Sequence, residues 1–242
     1  MTMKTTTYQP GQNIIDIKRK YRLKKVIKLA SNENPSGPSC KALIAGKKIL
    51  SSINRYPDSK SVKLRQIIKK YLSKSYITTD NIMIGNGSNE ILEFIARQYL
   101  NEKSEVLFCK HSFLVYKIIS RNMRARIIES KPIMKPGLDH LSIDLDDMRS
   151  RVTNKTSVIF IANPSNPTGT ALNINKITKF IESLPKRIII VIDEAYYEYS
   201  VFQGLKSAIN LLKKYPNLII TRSFSKIHAL AGSRIGYGLA SK

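Results

Sequence analysis

The chain has 242 residues, of which 42% are hydrophobic and 24% charged. Those are ordinary globular proportions, enough for one large domain or two small ones, and they exclude a disordered tail, a collagen-like fibre and a disulfide-stapled miniature. The charge is lopsided, because 41 basic against 17 acidic residues give +24.

The first 35 residues hold the breakers Pro10, Gly11 and Pro35 and read as an irregular arm lying on the rest. From Ser59 the pattern becomes regular. Val62, Leu64, Ile67, Ile68 and Leu72 recur at helical spacing within 60–72. The spacing then predicts a strand at 81–84, a helix at 88–100, a strand at 106–109, a helix at 113–123 and a strand at 126–129. In the second half it predicts a strand at 158–162 and a helix at 174–184. The unbroken run Ile188–Ile192 predicts a strand buried on both faces. A helix at 207–215, a strand at 218–221, a helix beginning at 227–231 and a last strand at 235–239 complete the order. Alternation of this kind predicts an α/β fold with a largely parallel sheet covered by helices. Ligands of such sheets bind beyond the carboxyl ends of the strands.

The lysines occur as singles and pairs (Lys24-Lys25, Lys47-Lys48, Lys69-Lys70, Lys213-Lys214) spread along the chain. A solvated basic surface is therefore expected rather than a specific nucleic-acid site, with weak, salt-sensitive adhesion at most. Cys40 and Cys109 have no metal spacing and suggest a reduced, cytoplasmic protein. Residues 1–5 lack the apolar core of a secretory signal, and no apolar run is long enough to cross a membrane. The segment Gly85-Asn86-Gly87-Ser88-Asn89-Glu90 lacks the third glycine of a dinucleotide fingerprint. No P-loop, zinc spacing or nucleophile elbow is present.

Four segments that follow strands carry the chemistry. Ser88 and Asn89 open a helix, where free backbone N–H groups favour an anion such as phosphate; the plainer reading is an N-cap by Ser88. The stretch Asn163-Pro164-Ser165-Asn166-Pro167-Thr168-Gly169 is either a rigid turn presenting the Asn166 amide or an ordinary loop. Asp193 ends the isoleucine-rich strand, where a buried carboxylate needs a partner: a protonated ring nitrogen, or the N-terminus of a helix. Tyr196 and Tyr197 follow it. Lys226, in Ser223-Phe224-Ser225-Lys226, is a candidate amine nucleophile whose free form the nearby Arg234 favours, or else one more surface lysine. Ser223 and Arg234 add two phosphate contacts. Together these supply an imine-forming amine, a carboxylate for a pyridinium nitrogen and a phosphate cradle, the set that a pyridoxal phosphate site requires.

At these residues the chain resembles the fold-type I, pyridoxal-phosphate-dependent aminotransferases, and within them the histidinol-phosphate aminotransferases. The segment from Lys28 to Ser39 is similar to that family's opening signature, and Asn54-Arg55-Tyr56-Pro57-Asp58, the Asn-Pro-Thr-Gly turn, Asp193-Glu194-Ala195-Tyr196 and Ser223-Phe224-Ser225-Lys226 follow in order. The resemblance runs from about Tyr8 to Lys242. It implies an arm with part of a small domain over 1–55 and a cofactor-binding large domain over 56–242.

By the same resemblance Lys226 holds the cofactor covalently and later moves the proton, and Asp193 keeps the ring nitrogen protonated. Tyr196 and Asn166 bond the ring hydroxyl and Phe113 stacks on the ring. Ser88, Asn89, Ser223 and Arg234 hold the phosphate, Tyr56 reaches the phosphate of a partner subunit in a homodimer, and Tyr8 and Asn34 lie by the substrate. The implied reaction is amino transfer between histidinol phosphate and 2-oxoglutarate in histidine biosynthesis. The nearest alternatives are another aminotransferase of the superfamily, a threonine-phosphate decarboxylase, or a remnant that only binds cofactor. Family members continue beyond the equivalent of Lys242 through a small domain bearing an arginine for the acceptor carboxylate. The expectation is therefore a fragment or truncated copy of reduced activity, with an apolar surface left open beside Leu239.

Overall fold

The computed structural model describes residues 13–241. At its centre is a seven-stranded sheet in the order β1-β7-β6-β5-β4-β2-β3. Its strands are β1 (Ile82–Asn86), β2 (Glu105–Cys109), β3 (Arg126–Ser130), β4 (Thr156–Ala162), β5 (Ile189–Asp193), β6 (Leu218–Ser223) and β7 (Ile235–Ala240). Six strands run in one direction; β7 alone is antiparallel, to β1 on one side and β6 on the other. The β-branched runs expected to be central strands occupy the middle, where helices cover both faces.

Strand alternation divides the core in two. Ile159, Ile161, Ile190 and Ile192 face one way, against Ile177, Phe180 and Ile181 of α7 (Ile174–Glu182) and Ile68 and Leu72 of α3 (Val62–Leu72). Val158, Phe160 and Val191 face the other way. They meet Ile91, Leu92 and Ile95 of α4 (Ser88–Tyr99) and Val115, Tyr116 and Ile119 of α5 (Leu114–Asn122). The i, i+3, i+4 spacing on α7 and α4 is the apolar stripe that fixes each helix to its face.

Several elements depart from the sequence expectation. The arm is not wholly irregular: Ile14–Tyr21 forms α1, capped by the Asn13 side chain on the Ile15 N–H, with Asp16 in its first turn and basic residues in its last. Those placements suit the helix dipole, and the helix buries no residue. The second helix, α2 (Cys40–Leu50), likewise buries none and leaves Leu43, Ile44, Ile49 and Leu50 exposed. The helix expected at 207–215 is a 3-10 segment, Ala208–Lys213.

No α-helix forms at 227–231. Having left β6 the chain must return antiparallel as β7, and only residues 224–234 are available for the reversal. A parallel crossover needs a dozen or more residues. Phe224 N–H donates to Ile235 O (3.0 Å), Leu230 N–H donates to Phe224 O (3.0 Å), and Ala229 takes a left-handed φ of 55°. A short helix, α6 (Leu145–Ser150), that the spacing did not suggest is capped by Asp144. A single turn, α8 (Tyr197–Ser200), follows β5.

Leu239 and Tyr237 of β7 are buried, so the last strand is itself covered. Beside it lies a cavity of about 700 Å³ with Ile82, Ile84, Phe94 and Leu239 in its wall. Among the described residues no helix is long and apolar enough to cross a membrane.

Candidate active site

The parallel register sets the site. Ala162 pairs with Asp193 and Asp193 with Thr221, so β4, β5 and β6 end side by side. The Asn163 turn, Asp193 and the Ser223–Lys226 segment therefore emerge at one edge of the sheet, and α4 begins beside them. There a cavity of about 440 Å³ is lined by Ser88, Asn89, Phe113, Asn166, Asp193, Tyr196, Ser223, Lys226 and Arg234. That volume lies within the usual range of small-molecule sites, about 300–1,000 Å³.

Asp193 forms the floor. Its Oδ2 accepts from the Tyr116 hydroxyl (2.8 Å), and its Oδ1 accepts from Thr221 Oγ1 (3.0 Å) and the Ala195 N–H (3.2 Å). It is buried, and among the described residues no cation pairs with it. Burial pushes its pKa up, the three hydrogen bonds pull it back, and the neighbouring Glu194 charge adds a further upward push.

Glu194 points the opposite way, as alternation requires. It accepts from Arg222 Nε (3.0 Å) and Nη2 (2.8 Å), from Ser207 Oγ (3.0 and 2.7 Å) and from the Ala208 N–H (2.7 Å). Arg222 also lies over the Tyr197 ring, 4.4 Å from its centroid. So of the two adjacent acids one is consumed by the fold and the other faces the cavity.

Phe113 stands edge-on to Tyr116 (5.8 Å, 87°), which stacks on Phe160 (4.8 Å, 8°). The Asn163 turn is held by its own side chain: Asn163 Nδ2 donates to Leu172 O (3.1 Å), and Leu172 N–H donates to Asn163 Oδ1 (2.7 Å). Ser165 N–H to Thr170 O (2.8 Å) and Gly169 N–H to Ser165 O (2.9 Å) close it, with Asn166 on the cavity wall.

At the other end lies a cluster of donors. Gly87, not Ser88, caps α4, with a left-handed φ of 76°. A Cβ there would collide with Arg234 Nη2, and one at Gly236 of β7 would strike Ser88 N. The two glycines thus let the guanidinium and β7 close on the start of α4. Arg234 Nη1 donates to Ser225 Oγ (3.2 Å) and Ala231 O (3.0 Å), and Ser225 N–H donates to Ser223 Oγ (3.0 Å). Hydroxyls, a guanidinium and the positive end of a twelve-residue helix make an anion cradle.

Lys226 Nζ donates to Ser31 O (3.0 Å) and sits 5.3 Å from the centroid of the Tyr196 ring. Asn32 Nδ2 donates to Tyr196 Oη (3.1 Å), and Asn34 Nδ2 donates to Ile227 O (2.9 Å). The arm is thereby laid across the mouth. Asn34 does not line the cavity but ties the arm to the Lys226 segment; Ser31, Asn32 and Glu33 line it in its place. Tyr56 stands apart and fully exposed. Tyr8 lies outside the described residues.

Sequence reasoning passed over Ser31, Asn32, Ser225 and Tyr116. The first two lie inside the opening signature and the third inside the Ser-Phe-Ser-Lys motif, so their positions could have flagged them. Tyr116 lies three residues after Phe113, the only local sign that they share a side. Among the described residues no group of three or more His, Cys, Asp or Glu could hold a metal ion.

The family model for aminotransferase class I and II matches residues 24–242. The chain belongs to the aminotransferase class I and II family. It is similar to this family's histidinol-phosphate aminotransferase 1 of Idiomarina loihiensis, 41% identical over 96% of this chain and 61% of that protein. It is also similar to the histidinol-phosphate aminotransferase of an Anaeromyxobacter species, 39% identical over 97% of this chain and 62% of that protein. Among solved structures it resembles the histidinol-phosphate aminotransferase of Sinorhizobium meliloti in complex with pyridoxal-5'-phosphate. The TM-score is 0.84 at 25% identity, over 99% of this chain and 62% of that one. The chain therefore spans about three fifths of the length of the aminotransferases it matches.

Proposed function

We propose that this chain is the pyridoxal phosphate-binding part of a histidinol-phosphate aminotransferase, exchanging an amino group between L-histidinol phosphate and 2-oxoglutarate in the cytoplasm. The observation that carries this proposal is the buried Asp193 carboxylate, unpaired by any described cation, on the same cavity as the Lys226 amine and the anion cradle. The donor set fits a phosphorylated pyridine aldehyde. An acid suits a basic ring nitrogen, an amine suits an aldehyde, and Ser88, Asn89, Ser223, Arg234 and the start of α4 suit a phosphate. Identity near 40% to enzymes named for histidinol phosphate supports the choice of substrate.

When bound, the cofactor supplies an electron sink for the carbon beside the substrate amine. Asp193 would accept a hydrogen bond from the ring nitrogen and keep it protonated. Tyr196 Oη and the Asn166 amide would orient the ring hydroxyl, and Phe113 would cover the ring face. Lys226 Nζ would hold the cofactor's aldehyde and, as a free amine, would carry the proton taken from the substrate carbon. In the ligand-free chain the Ser31 carbonyl and the Tyr196 ring hold that amine at the mouth.

Residues 1–55 act as arm and small-domain segment, and 56–242 as the cofactor domain. The exposed Tyr56 completes the phosphate site of a second copy in a homodimer. Incubating the chain with pyridoxal phosphate and reducing with borohydride should fix the cofactor on Lys226, read from the visible spectrum and the peptide mass. Equal trapping by wild type and Lys226→Ala would refute the assignment.

A further inference from the structure

We propose that Tyr116 is a positioning residue for Asp193, its hydroxyl holding that carboxylate ionised and fixed toward the cavity; this rests on the reading that Asp193 serves the cofactor's ring nitrogen. Tyr116 is fully buried on α5, stacked on Phe160 and edge-on to Phe113. A phenol so deep among aromatic rings must place its O–H on a partner. The partner is Asp193 Oδ2 at 2.8 Å, and no other hydrogen bond from this hydroxyl is found among the described residues.

The two oxygens of Asp193 are thus held from three directions: α5 through Tyr116, β6 through Thr221, and the backbone through Ala195. Tyr116 also packs edge-on against Phe113, the aromatic on the cavity wall. One side chain therefore sets both the face and the floor of the pocket. A phenylalanine would pack equally well there and would leave one carboxylate oxygen unbonded.

The other groups that face Asp193 are few. Glu194, the next residue after β5, points away but its charge opposes ionisation, as does burial, and Tyr196, Lys226 and Arg234 line the same cavity. The Tyr116 hydroxyl stays protonated, because burial and the Asp193 charge push its own pKa well up. It can therefore donate throughout the range in which the carboxylate is charged.

The test follows the Asp193 carboxyl by carbon-13 NMR in the ligand-free chain, with Asp193→Asn identifying the signal. Tyr116→Phe should raise its titration midpoint by about one pH unit, the effect of one charge-assisted hydrogen bond. Placing 3-fluorotyrosine at 116, a stronger donor of the same shape, should lower it. A merely space-filling tyrosine would produce neither shift. With pyridoxal phosphate bound, the pH midpoint of the visible band should move in Tyr116→Phe and hold in wild type.

An Asp193 titration indifferent to both replacements overturns the proposal. Should Tyr116→Phe not fold, the fluorinated chain decides alone. A wild-type chain that traps no cofactor overturns the functional reading instead, and the ligand-free titration still judges Tyr116.

Discussion

Arg222→Met should be among the most damaging single changes in the molecule, although Arg222 does not line the cavity. The Arg222 and Glu194 side chains are 5% and 2% exposed and share hydrogen bonds of 2.8 and 3.0 Å. Methionine fills much the same volume but leaves Glu194 charged and buried, with only Ser207 and the Ala208 N–H to solvate it. Breaking a buried pair from one side costs about 3–5 kcal/mol. With a urea dependence of roughly 3 kcal/mol/M, the unfolding midpoint should fall by about 1 M or more. Removing both charges in Arg222→Met/Glu194→Leu should recover part of the loss, because Glu194 is no longer orphaned, while Glu198, 3.5 Å from Arg222, still loses its partner. Urea titration by far-ultraviolet circular dichroism measures both variants. A single variant within about 1 kcal/mol of wild type, or a double variant worse than the single, would refute the reasoning.

Asp193→Asn should stabilise the ligand-free chain at neutral pH. Burial raises the Asp193 pKa above the ordinary 3.8, so its ionisation opposes folding. The advantage of asparagine is present above the raised pKa and fades as pH falls through it towards 3.8, where wild type becomes neutral as well. Melting temperatures of the two chains across that window check the sign, and a gap that widened towards low pH would contradict it. Gly87→Ala forces a side chain into a left-handed φ of 76° against the Arg234 guanidinium. Strain of about 1–3 kcal/mol in the phosphate cradle should weaken pyridoxal phosphate binding roughly tenfold or more, measured by fluorescence titration, and an unchanged Kd would count against the cradle.

The strands and their order along the chain were legible because isoleucine and valine runs such as 188–192 have little else to become. The motifs after them were legible because α/β sheets gather ligands at that edge. The direction of β7 was not, since it depends on the eleven residues between β6 and β7 and not on the residues within the strand. Helix α1 escaped notice because it is held by its Asn13 cap and charge placement and shows no apolar stripe packed on the body. The apolar residues at 227–231 suggested a helix, but the return to β7 overrode that local preference. The environment of Asp193 was invisible for another reason: its side-chain partners lie 77 and 28 residues away, and only the register of β5 with β6 and the seating of α5 bring them together.

The bonds from residues 31, 32 and 34 to Lys226, Tyr196 and Ile227 span 195, 164 and 193 positions. A chain made from its amino end carries this strap in solution until nearly all of the sheet exists. The rim of the cavity cannot close before residues 196, 226 and 227 have been made. It closes through isolated polar contacts that can release one at a time, so small molecules can enter while the sheet beneath stays intact.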